Sequence, residues 1–77
     1  MSNNETREEL EYKLNWLEAT YNNYLWYAYN LEESMPLIDN EELKNSVSRD
    51  YINTCISIRN IAIDLRDTRE IIRKLLI

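Results

Sequence analysis

The chain has no histidine, no glycine and no phenylalanine, and only one cysteine and one proline among its 77 residues. Each absence removes a class of protein. Without histidine, the side chain that titrates near neutral pH is missing, and general acid–base chemistry would fall to a strongly perturbed carboxylate or lysine. Without glycine, no phosphate-cradling loop of a known type can form. The lone Cys55 rules out an intrachain disulfide, and the lack of a second cysteine and of histidine removes the usual zinc constellations. No apolar run approaches the roughly 18 residues that span a bilayer. The opening Met1-Ser2-Asn3-Asn4-Glu5 has neither a basic start nor an apolar signal core. These absences predict no enzyme, no catalytic residue, no cofactor, no metal site and no membrane partner. They also predict a cytoplasmic location, in a host cell if the protein is viral.

What is present is helical periodicity. Leu10, Leu14, Leu17, Tyr21, Tyr24, Ala28, Leu31 and Met35 step alternately four and three along the first half. Val47, Tyr51, Thr54, Ile58, Ile61, Leu65, Thr68, Ile72 and Leu75 do the same along the second. A mean repeat near 3.5 residues suits two helices packed along their length. The pattern predicts an all-α fold, a long antiparallel two-helix hairpin that assembles into a helical bundle oligomer. It forms one domain over 1–77, with a first helix over about 5–34, a turn over 35–39 and a second helix over about 40–77.

Local signals set these bounds. Thr6 with Glu9, or Ser2 with Glu5, has the spacing of a capping box, and Asp39 with Glu42 repeats it before the second helix. Pro36 disfavours helical geometry at Met35 and so predicts the end of the first helix there. The second helix is expected to be loose around Asn45, Ser46, Val47 and Ser48. Charge follows the same plan. Through Ile38, seven acids stand against Arg7 and Lys13, whereas seven acids and seven bases follow, so the net −5 lies in the first half. Acids at the start of the first helix and Arg66, Arg69, Arg73 and Lys74 at the end of the second each suit the dipole of their own terminus. An antiparallel hairpin brings these ends together, and Arg66 can also reach Glu70 on its own helix. An acidic chain offers little to double-stranded nucleic acid, and no such partner is predicted.

A hairpin needs one apolar stripe per helix, yet this sequence carries more. Tyr12, Trp16, Ala19, Trp26 and Tyr27 lie opposite the first stripe, with Leu25 and Tyr29 on one flank. Ile52, Ile56 and Ile63 form a second ridge on the other helix. Helices apolar on two faces are buried on two faces, which one hairpin cannot provide. Self-association into a dimer or larger homo-oligomer is therefore expected, most simply as a four-helix bundle of two hairpins. Cys55, beside the ridge, is expected to be a buried, inert thiol.

Seven residues stand out as candidates for ligand or partner binding: Arg49, Arg59, Trp16, Trp26, Tyr27, Ile56 and Ile63. Neither arginine has an acid three or four residues away, so each must pair with an acid on another helix or subunit, or bind a phosphate or carboxylate ligand. Every aromatic ring belongs to Tyr or Trp, whose polar handles suit half-buried interfaces. A turn centred on Pro36 to Ile38 would set Trp16 level with Arg59 and Trp26 level with Arg49, for cation–π contact or a base-stacking pocket.

Three functions fit these features. The first is a small non-enzymatic oligomeric interaction protein that binds and blocks or organises a macromolecular partner, such as a protein. Its ten Asn and nine Ile suggest AT-rich coding, as in a virus or mobile element, where it would act as a regulator or inhibitor. The second is a sponge-like binder that sequesters a small anionic ligand, such as a cyclic nucleotide, at a subunit interface. In outline this resembles the small helical phage proteins that capture cyclic oligonucleotides, with no motif shared residue by residue. The third is a purely structural bundle.

Overall fold

Thr6 starts the first helix with a complete capping box. Its hydroxyl accepts from the Glu9 amide at 3.1 Å, and the Glu9 carboxylate accepts from the Thr6 amide at 2.8 Å. Those bonds hold the Glu9 carboxyl below its ordinary pKa, so this contribution is present above pH 4.5 and is lost as the pH falls through the lowered value. The computed structural model describes residues 6–75: α1 over Arg7–Ser34, a 3₁₀ turn over Met35–Leu37 and α2 over Glu41–Leu75. The Ser2 and Glu5 alternative and the last two residues of the expected second helix lie outside the described residues.

The turn departs from expectation in two ways. Met35 keeps right-handed helical angles although it precedes Pro36, and its amide still donates to the Leu31 carbonyl. What stops α1 is the missing N–H of Pro36, which cannot continue the α-ladder. The chain tightens into 3₁₀ geometry and leaves through extended Ile38, whose amide donates to the Met35 carbonyl. The second correction concerns the start of α2, where Asn40 rather than Asp39 provides the cap. Its Oδ1 accepts from the Leu43 amide at 2.9 Å, the N-cap to N3 bond that a neighbouring residue would be out of phase to make. Helix α2 then runs unbroken through residues 45–48, which were expected to be loose.

The seam lies where the two stripes predict. Leu10, Leu17 and Ala28 of α1 are buried against Thr54, Leu65 and Thr68 of α2, with Leu14, Tyr21, Leu31, Val47, Ile58, Ile61 and Ile72 half-buried around them. Ala28, Thr54 and Thr68 keep the seam narrow. The Thr54 hydroxyl donates to the Asp50 carbonyl of its own helix at 2.7 Å, so a polar residue sits in the seam without an unpaired group.

The register follows from three side-chain pairs between the helical hairpin's arms: Glu18 with Arg69, Glu32 with Tyr51 and Met35 with Ser48. Residues 38–40 carry the chain past the tip of α1, so the first two turns of α2 overhang it and Leu37 and Leu43 stand in water. The result is a rod 55 Å long and 19 by 15 Å across. Its seam is thin, and a core of this size supplies only about 3–5 kcal/mol. Shortening Leu17 or Leu65 to alanine therefore removes roughly 2–5 kcal/mol, and most of the helical circular dichroism should be lost at room temperature. An unchanged melting curve would show that the seam does not hold the hairpin.

Candidate interaction surface

Positions 12, 16, 19, 23, 26 and 30 of α1 repeat the four-three spacing half a turn round from the seam, and positions 49, 52, 56, 59, 63 and 66 do so on α2. Every one of these residues is exposed. The large apolar ones are well exposed: Tyr12 75%, Trp26 64%, Trp16 59%, Ile52 58%, Ile56 53% and Ile63 39%. All seven candidate residues fall on this outer surface, including Tyr27 at the edge of the α1 face and Ile63 on the α2 ridge. One hairpin thus presents two apolar faces pointing in opposite directions, aromatic on α1 and isoleucine with arginine on α2.

The register corrects the expected pairings across the hairpin. Arg59 is level with Trp26, while Trp16 is level with the region beyond Arg69, about 15 Å further along at 1.5 Å per residue. The overhang of α2 causes this shift. Level does not mean contact, because Trp26 and Arg59 lie on opposite outer faces. The one aromatic pair among the described residues is Trp26 stacked on Tyr29, with ring centroids 5.7 Å apart and planes 19° from parallel.

The ion pairs differ from expectation too. Among the described residues, neither Arg49 nor Arg59 pairs with an acid, so the helix 1 carboxylates do not serve them within one hairpin. Arg66 lies against Asp67 at 3.4 Å instead of reaching Glu70, which Arg73 takes. Among the described residues, Arg69 alone of the basic run at the end of α2 crosses to α1, meeting Glu18 at 2.9 Å. All these pairs are solvent-exposed and each adds at most about 1 kcal/mol. Cys55 is exposed rather than buried, because the ridge beside it has nothing covering it.

Two shallow grooves open on the surface of the rod. One, of about 350 Å³, is lined by Glu18, Tyr21, Asn22, Ala62, Leu65 and Arg69. Its arginine is already neutralised by Glu18. The other, of about 490 Å³, is open and apolar between Asn22, Leu25, Trp26 and Tyr29. Of the expected candidates only Trp26 lines either groove. Both arginines singled out from the sequence stand on a convex ridge. No group of three or more His, Cys, Asp or Glu among the described residues is placed to hold a metal ion, and no helix among them is long and apolar enough to cross a membrane.

These features define an all-α hairpin with solvated apolar faces on both of its outer sides. Compared with known proteins, the chain matches no family model, no curated protein and no solved structure.

Sequence reasoning missed the contact between Glu32 and Tyr51, since it depends on register. The Tyr51 hydroxyl donates to Glu32 Oε1 at 2.9 Å. That bond and the charge of Glu32, with smaller effects from Cys55, raise the phenol from 10.0 to about 12. The folded pKa lies above the unfolded one, so this contribution is complete below pH 10.0 and is lost as pH rises through about 12. Titration by tyrosinate absorbance should show a phenol that ionises near pH 12, and Glu32→Ala should bring it down toward 10.0. No ionisation that late in the unmodified protein would contradict the contact.

Proposed function

We propose that this is a small non-enzymatic interaction protein that self-associates and uses its aromatic and isoleucine surface to bind and block or organise a macromolecular partner. The observation that supports this is the pair of outer apolar faces. The chain exposes 6228 Å², more than the about 5,000 Å² of a compact monomer of 9.3 kDa, as an elongated rod does. Exposed apolar residues grouped on one face mark docking surfaces. Tyrosine, tryptophan and arginine on those faces are the residue types that dominate protein interfaces.

A second reading has one observation in its favour. Among the described residues Arg49 and Arg59 have no acid partner, and they could serve a small anionic ligand such as a nucleotide once a second copy supplies the walls that the outer ridge lacks. The regulatory role in a virus or mobile element and the cytoplasmic setting belong to the first reading as proposals.

Native mass spectrometry of the protein purified from cells tests both readings. The first expects multiples of the 9.3 kDa chain with no added small mass, and the second expects multiples with a retained anionic ligand. A single chain at every concentration, with nothing bound, would overturn both.

A further inference from the structure

We propose that copies of this chain associate head to tail, with the aromatic face of α1 on one copy packing on the isoleucine and arginine face of α2 on the next. This rests on the self-association reading and adds which surfaces meet. Three observations carry it.

The first is geometric. The outer stripe of α1 spans 12–30 and that of α2 spans 49–66, about 27 and 26 Å at 1.5 Å per residue. Both keep the four-three spacing that interlocks side chains between neighbouring helices. They lie on opposite sides of one rod, so a copy shifted sideways repeats the antiparallel pairing of α1 and α2 already present in the seam.

The second is charge. Helix α1 has six acids against two bases, and α2 has six acids against seven bases. An α1 face meeting its own equivalent would bring two negative helices together. An α2 ridge meeting its equivalent would crowd Arg49 and Arg59 against each other with no acid on the ridge between them. Only the mixed pairing sets opposite charge balances face to face. At an unshifted level it also lays Trp26 of one copy beside Arg59 of the next, a cation–π contact for a guanidinium that no carboxylate among the described residues holds.

The third is coverage. Head-to-tail association removes two faces from each copy. Stacking two hairpins on their flat sides, as in a four-helix bundle, would leave both outer faces in water. A head-to-tail contact does not close on itself at two copies, and it yields rings or open filaments.

The test is a mixing experiment with two blocked variants. One carries Trp16→Glu and Trp26→Glu, the other Ile52→Glu and Ile56→Glu. Circular dichroism should show both still helical, since these side chains lie outside the seam. If either is not, the same positions changed to serine replace it. Sedimentation velocity should show each variant alone as a single chain and the equimolar mixture as a one-to-one complex, while the unmodified protein grows beyond a dimer. A blocked variant that pairs with itself, or a mixture that stays as single chains, would overturn the head-to-tail contact. An unmodified protein that stays a single chain would overturn self-association itself.

Discussion

A pair of packed helices can shield from water only the sides they turn toward each other, and everything distinctive about this protein follows from that limit. The seam takes one four-three stripe from each helix. It fills with leucine, alanine and threonine, leaving no buried side-chain polar atom unpaired among the described residues. With that seam complete, Tyr12, Trp16 and Trp26 of α1 and Ile52, Ile56 and Ile63 of α2 have no further surface inside the hairpin to meet. The radius of gyration is 17.2 Å, where a compact chain of this length would have about 11–12 Å. The rod is long because its second pair of faces is not folded inward.

The polar groups reinforce the hairpin without defining it. A capping box at Thr6, an asparagine cap at Asn40 and the Glu18 and Arg69 pair all sit at the surface. They set where helices start and how they align, and the seam supplies the driving force. The two outer stripes are different in kind. They keep the spacing of a packed interface; the α1 stripe holds no charged residue, and the α2 stripe holds three isoleucines and three arginines with no acid among them.

Much of this was legible in the sequence. The stripe from Leu10 to Met35 and the one from Val47 to Leu75 named the seam apart from Tyr24 and Leu75, which are exposed, because burial along a hairpin follows its periodicity closely. Thr6 with Glu9 declared its cap for the same local reason. Register was not legible. It depends on how many residues the turn consumes and on where the chain points when it leaves, and the non-helical residues 38–40 moved α2 by several turns relative to a symmetric fold-back. That one displacement undid the pairing of Trp16 with Arg59 and hid the contact between Tyr51 and Glu32. Cys55 and the choice between Asp39 and Asn40 failed for smaller reasons, one because the ridge beside the thiol is uncovered and the other because capping geometry is sensitive to a shift of one residue.

Both tryptophans of the chain, Trp16 and Trp26, lie on the outer face of α1, so indole fluorescence reports on that face and nothing else. Quenching by acrylamide across a dilution series is the most direct measure of whether the outer faces are covered. The account predicts shielded indoles at high concentration that become accessible on dilution while the helical signal persists. Indoles equally open to quencher at every concentration would contradict it.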